Sequence, residues 1–574
     1  MDFNLLKRNL KKDFTGFKNI SLAVLSDCST QYLVQGIKAC GYEKKLNINT
    51  WEADYDAINL AINNTTSPLY TNKNDYVVLF YSVLNLKKQF YKNHSKETFA
   101  DDFIAQVQNV TETVSKNIKT NFIVYNLPEE PDAVFGNYGN KTPDSFIYQL
   151  RKINYLLMDL AEKTSNVFIN DVAALYASKG NAYCFDSRLY INGDIIWSLD
   201  FTADVAANTV QIIESFLGFS KKCLILDLDN TTWGGIIGDD GIENIEVGEL
   251  GVGKAFTQLQ QWAKALKDRG IIIAVCSKNN EEIAKGPFIN HPDMVLRLED
   301  ISVFVANWDN KADNIRYIQS ILNIGFDTMV FLDDNPFERE MVKTHIPQVT
   351  VPDLPEDPAD YIPYLNTLNL FETVSYTAED KERTKQYREE ADRTIAKAKY
   401  TDEKDFLISL NMVSEVKAFD SFTIPRVAQL SQRSNQFNLR TIRYSEEDVK
   451  RISGSPVFAT FTFNLADKFG DHGLISVIIL EQKNAKEVFI DTWIMSCRVL
   501  KRGVEQFVLS HLVNWAKANN FELLTGEYIP TPKNALVKDH YEELGFTKSD
   551  EGEGVWSLTV ADYKPKAFYI NPKI

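Results

Sequence analysis

The chain is poor in the residues that build disulfide frameworks, metal clusters and membrane spans. Its six cysteines, Cys28, Cys40, Cys184, Cys223, Cys276 and Cys497, are scattered, and none forms a C-x-x-C pair. That spacing argues against structural zinc and against a disulfide scaffold. Histidine is equally scarce: there are six, and only His94 precedes Asp227. No apolar run approaches the roughly 18–20 residues of a membrane span. Basic residues are in deficit, with 62 Lys and Arg against 78 Asp and Glu and a net charge of −16. An acidic balance counts against a nucleic-acid partner, which needs a basic face. The segment from Met1 to Lys18 is charged and lacks the apolar core of a signal peptide. A cytoplasmic location with no membrane association is expected.

What is present reads as ordinary globular protein, with 44% hydrophobic and 24% charged residues. At 574 residues it is too long for one core, and about three domains are expected. Short apolar strand candidates at Ser21–Leu25, Lys45–Ile48, Tyr76–Tyr81, Asn121–Tyr125 and Val167–Ile169 alternate with long amphipathic stretches. This pattern predicts a parallel sheet covered by helices over residues 1–218. A second α/β domain is expected over 219–370, a charged helical connector over 371–400, and a mixed α+β domain over 401–574.

The most informative stretch runs from Leu224 to Asp240. An apolar strand, Cys223-Leu224-Ile225-Leu226, ends in Asp227-Leu228-Asp229-Asn230-Thr231. Acids at the carboxyl end of a central parallel strand face the crevice where open α/β sheets bind ligands. Three further features follow in order: an apolar run ending Cys276-Ser277, Lys311 at a helix start, and a strand ending Asp333-Asp334. Together they resemble the motifs of the haloacid dehalogenase (HAD) phosphohydrolases. The resemblance implies Asp227 as a nucleophile forming an aspartyl-phosphate, and Asp229 as general acid and base. It implies Thr231, Ser277 and Lys311 on the phosphoryl oxygens. Mg²⁺ is expected on Asp227, the Asp229 carbonyl and the Asp333/Asp334 pair. A glycine-rich flap, Trp233 to Gly241, follows, and only about 40 residues separate the first motif from Ser277. No large cap domain fits there.

Two flanking resemblances complete the reading. Leu25-Ser26-Asp27-Cys28-Ser29 is similar to the first block of SGNH hydrolases, with Cys28 in the nucleophile position. The late histidine of that triad is missing, so an inactive scaffold domain is expected. Residues 401–574 resemble a GNAT acyltransferase, with Asn534-Ala535 leading into a final helix over Leu536–Leu544. Tyr541 on that helix would face a thioester. The pyrophosphate loop, Leu500-Lys501-Arg502-Gly503-Val504-Glu505, keeps one glycine and places Glu505 where phosphate should lie.

The combination of Asp227–Gly235, Cys276-Ser277-Lys278-Asn279, Asp333-Asp334-Asn335-Pro336, Gln432–Asn438 and Phe469–Gly473 resembles the FkbH-like HAD proteins over essentially the whole chain. The resemblance implies an enzyme that removes phosphate from a phosphorylated small molecule. It also implies passage of an acyl, glyceryl-type group to an acyl carrier protein or a phosphopantetheine/CoA thioester. Cys276 is the candidate acyl-holding thiol, set against a buried structural cysteine. The alternatives are a stand-alone small-molecule phosphatase with accessory domains and a non-catalytic assembly module.

Overall fold

In a computed structural model of the chain, residues 1–376, 389, 393, 396, 400–496, 499–549, 552 and 554–573 are described. Contacts group them into two compact units, Met1–Glu214 and Ser215–Ile574. The expected charged connector lies mostly outside the described residues. Among the described residues, no helix is long and apolar enough to cross a membrane.

The first unit holds five parallel strands: β1 (Lys18–Ser26), β2 (Leu46–Glu52), β3 (Tyr76–Phe80), β4 (Asn121–Tyr125) and β5 (Val167–Asn170). Their order is β2-β1-β3-β4-β5, a flavodoxin-like arrangement. All five residues of β3, Tyr-Val-Val-Leu-Phe, are buried, as a strand covered on both faces requires. The helix Phe99–Ser115 buries Phe99, Phe103, Val107, Val110 and Val114, one stripe at helical spacing. At the carboxyl end of β1, burial pushes Asp27 up to about 7 and Cys28 well above the ordinary thiol range.

The second unit contains two sheets. One has four parallel strands in the order β8-β7-β6-β9. They are β6 (Cys223–Leu226), β7 (Ile272–Ser277), β8 (Val303–Ala306) and β9 (Met329–Leu332). Every residue of β6, β7 and β9 is buried. No cap domain interrupts these strands. Asp227 follows the last residue of β6 and Asp333 the last residue of β9, so the parallel pairing of these neighbours brings both acids to one edge.

The other sheet has eight strands in the order β15-β16-β14-β13-β12-β11-β10-β17. They are β10 (Met412–Lys417), β11 (Phe458–Asp467), β12 (Gly470–Gln482), β13 (Glu487–Met495), β14 (Leu523–Glu527), β15 (Thr547–Lys548), β16 (Val555–Thr559) and β17 (Ile570–Pro572). β13 and β14 run parallel within an otherwise largely antiparallel sheet, joined by the crossover helix Val504–Ala518. This is the GNAT-like α+β arrangement that the resemblance implies. The sequence reading missed β15, β16 and β17. It also expected one helix over Leu536–Leu544. The structure instead has a 3₁₀ turn, Ala535–Val537, and a single helical turn, His540–Glu543. Val537, His540 and Tyr541 are all buried, and Gly545, at φ +93°, ends the turn.

His540 is wedged edge-on between Phe437 and Trp493, with ring centroids 4.9 and 4.6 Å away, and its Nε2 has no hydrogen-bond partner. Burial pushes its pKa down to about 3. The unfolded chain therefore takes up a proton near pH 6.5 that the folded one refuses. The contribution to stability is full above that pH and is lost progressively as pH falls towards 3. At pH 5 the loss is about 2 kcal/mol. Denaturant melts at pH 7.5 and pH 5 should show this loss in the wild type. His540→Phe should remove about that much of the acid dependence, and an unchanged acid slope would contradict the assignment.

Candidate active site

The site is built on the ends of β6, β7 and β9. Carboxylate oxygens of Asp227, Asp333 and Asp334 all lie within 4.8 Å of one another. Lys311 enters from the start of the helix Lys311–Leu322, which Asn310 caps through the Ala312 amide. Its Nζ stands 3.0 Å from Asp227 Oδ2 and 2.6 Å from Asp333 Oδ2. Lys311 is 3% exposed, Asp227 6% and Asp333 0%. Burial pushes Asp227 up, opposed by Lys311. Burial and the neighbouring Asp227 push Asp333 to about 6, and burial with Asp333 raises Asp334. Burial alone would depress Lys311, but the two carboxylates outweigh it and hold it above the lysine range. Three carboxylates against one ammonium leave a buried negative excess. That donor set, all oxygen and all hard, fits a divalent cation such as Mg²⁺.

Asp229 sits on the flap side. Its Oδ1 accepts from Trp233 Nε1 at 2.9 Å and from the Ile237 amide at 3.1 Å, and its Oδ2 accepts from Asn279 Nδ2 at 3.1 Å. Burial still raises its pKa. Trp233 is fully buried and packs edge-on against Phe288. The flap is thus pinned by an indole that also orients Asp229. Asn230 adopts φ +53° and its Oδ1 accepts from the Gly235 amide, which turns the chain sharply away from the strand.

Ser277 is buried at the end of β7, beside Asp227. Thr231 is placed differently from the expectation. Its hydroxyl accepts from the Asp334 amide at 3.0 Å and lies 3.2 Å from Asp334 Oδ1. It holds the acid turn. Cys276 faces away from the acids into the apolar cluster beneath the sheet, is 0% exposed, and donates to the Lys311 carbonyl at 3.7 Å. Burial pushes its thiol far up. In this arrangement it packs as a core residue.

Two residues escaped the sequence reading. Asn279 was present in the motif but had no role. Arg339, from the helix Pro336–His345, donates to the carbonyls of Asp333 and Asp334 at 2.8 and 2.6 Å. The Asn335-Pro336 helix start was the available signal that a helix flanks the acid pair. Beside the acids a cleft of about 560 Å³ opens, bordered by Asn230, Phe256, Asp334, Arg339 and Tyr361.

Tyr541 is not brought to this site. It lies in the core of the third sheet, 1% exposed, against Gly526, where an added Cβ would meet its hydroxyl at 2.3 Å. Nearby, β13 and β14 stay paired only as far as Ile490 and Gly526. Beyond that point the chain's own segment enters between them. Met495 donates to the Phe437 carbonyl at 3.2 Å, Leu439 to Trp493 at 3.5 Å, and Ile529 to Leu439 at 2.9 Å. Glu505 accepts from the Lys501 amide at 3.2 Å, so this loop's amide already has a carboxylate.

Residues 21–214 match the family model described as FkbH, N-terminal domain. No curated protein matches the chain. Among solved structures, the N-terminal part of BF1531 from Bacteroides fragilis, containing a phosphatase domain complexed with Mg, is 51% identical, with a TM-score of 0.63. The match covers 65% of this chain and 100% of that one. The ribosomal-protein-S18-alanine N-acetyltransferase from Escherichia coli is 14% identical, with a TM-score of 0.21, over 27% of this chain and 99% of that one. The GNAT domain of S. lividans PAT is 16% identical, with a TM-score of 0.21, over 25% and 89%. The identity with the Bacteroides protein runs the full length of that relative, and with the amino-terminal match it places the chain in the FkbH-like proteins of the HAD superfamily.

Proposed function

We propose that this chain is a Mg²⁺-dependent phosphohydrolase or phosphotransferase that works through an aspartyl-phosphate on Asp227. The observation that carries the reading is the buried Asp227–Lys311–Asp333 cluster with its carboxylate excess. Asp227, the Asp229 carbonyl and the Asp333/Asp334 pair would hold Mg²⁺, which supplies charge neutralisation for the phosphoryl group. The Bacteroides relative contains a phosphatase domain complexed with Mg, in agreement. Asp227 forms the bond to phosphorus as the bond to the leaving oxygen breaks. Asp229, its pKa raised by burial, gives a proton to that oxygen and then takes one from the attacking water. Lys311 and Ser277 hold the phosphoryl oxygens, and Thr231 and Arg339 keep the acid turn in place.

The finer part of the proposal concerns the third sheet. Its fold supports acyl transfer. The Glu505 carboxylate on the Lys501 amide favours an acceptor other than free CoA, such as a carrier-bound phosphopantetheine arm. The acyl group would not rest on Cys276.

Phosphate release from an activated aryl phosphate should require Mg²⁺ and stop with EDTA. Asp227→Asn should lower kcat by at least about 10²-fold. Turnover near wild type in that variant would sink the mechanism. Cys276→Ala should keep phosphate release within about threefold while costing roughly 1 kcal/mol of stability, since only a small buried side chain is removed. Loss of release without loss of folding would return the thiol to the chemistry. Calorimetry should find CoA binding weaker than about 0.1 mM, and a dissociation constant in the low micromolar range would reverse the acceptor preference.

A further inference from the structure

Lys278 stands between two residues of the acid site. Ser277 ends β7, and Asn279 donates to Asp229 Oδ2 at 3.1 Å. The Lys278 Nζ donates to Glu338 Oε1 at 2.6 Å. Glu338 lies in the first turn of the helix Pro336–His345, which follows β9. β7 and β9 both pair with β6, one on each side. A bridge from the end of β7 to the helix after β9 therefore spans the end of β6. Asp227 is the first residue beyond that end.

Glu338 is 6% exposed and Lys278 is half-buried, so this is not an open-surface bridge. Burial is the largest cause of the raised Cys276 thiol, and the charges of Asp227, Asp333 and Glu338 add to it. Glu338 thus shares the field of the acid cluster. Its Oε2 is buried and has no hydrogen-bond partner among the described residues. A half-satisfied buried carboxylate costs free energy, and a buried ion pair adds little stability over apolar residues of the same size. Stability therefore does not account for the bridge. What it fixes is the place of an ammonium. Lys311, the other ammonium of the site, is shared between Asp227 and Asp333. Lys278 is held by one carboxylate, and among the described residues that is its one hydrogen-bond partner. An ammonium has several donors, so others remain for an incoming group. A phosphoryl group brings about two negative charges, more than a lysine already shared by two carboxylates offsets.

We infer that Lys278 is a substrate-binding residue, which offers its remaining N–H groups to the phosphoryl oxygens of a phosphate ester at Asp227, and that Glu338 is its positioning residue. The inference rests on the phosphoryl chemistry proposed for Asp227. Lys278 acts as a point charge on phosphate and forms no covalent bond. Glu338 touches the lysine and not the substrate, so its effect passes through that ammonium.

Calorimetry on the full chain with Mg²⁺ and inorganic phosphate reads the site without turnover. Lys278→Met should weaken phosphate by about tenfold or more, and Lys278→Gln gives a second variant with the same expected loss. Lys278→Arg keeps the charge and should recover most of that loss. Glu338→Ala should weaken phosphate when Lys278 is present. In the Lys278→Met background it should add less than about twofold, because it acts only through the ammonium. Circular dichroism melts of each variant separate lost binding from lost folding. Phosphate binding within about twofold of wild type in folded Lys278→Met or Lys278→Gln, or no binding by the wild type, would overturn the role of Lys278. Fully additive losses in the double variant would overturn the positioning role of Glu338. The underlying reading fails differently: undiminished phosphate release in Asp227→Asn removes the covalent mechanism, whatever the phosphate affinities are.

Discussion

The structure of the site depends on one buried arrangement, a lysine ammonium held between two carboxylates at the ends of adjacent parallel strands. Lys311 is 2.6 Å from Asp333 and 3.0 Å from Asp227, and all three are almost wholly buried. Such a group is costly to assemble in low dielectric unless each charge has its partners. Here the lysine serves both acids, and Asp333 also accepts the Asn335 amide at 2.9 Å. What stays unbalanced is negative, and that imbalance gives the site its demand for a cation.

Much of the surrounding fold holds this arrangement in place. β6, β7 and β9 are short and fully buried, which fixes where their ends fall. Arg339 clamps the carbonyls of Asp333 and Asp334, and Thr231 ties the Asp334 amide to the loop after β6. Trp233 anchors the flap and gives Asp229 one of its three hydrogen bonds. These contacts position groups rather than react. Catalysis by charge stabilisation needs this kind of preorganisation.

The sheet of the first unit and the site strands were legible in the sequence because buried parallel strands write themselves as short apolar runs, and those of β6 and β9 lead into acids. Strand positions from Tyr76 to Met495 follow those runs closely, except β8 (Val303–Ala306), which the sequence reading missed. The acid cluster was legible for the same reason. What the sequence concealed is direction. Cys276 and Ser277 are neighbours on one strand, so their side chains take opposite faces, and only Ser277 meets Asp227. Thr231 reads as a phosphate ligand until Asp334 is seen beside it. Tyr541 sits on a single helical turn after a 3₁₀ turn rather than on one longer helix. The segment between β13 and β14 has no periodic signature, so its insertion could not be read in advance.

The central claim is a covalent phosphoryl group on Asp227. Acid-quenching the full chain a few milliseconds after mixing with Mg²⁺ and acetyl phosphate, then reducing with borohydride, converts an aspartyl-phosphate to homoserine. Peptide mass spectrometry should find that change at Asp227 and at no other acid. Turnover with Asp227 unmodified, or modification at Asp229, Asp333 or Asp334 instead, would contradict the account.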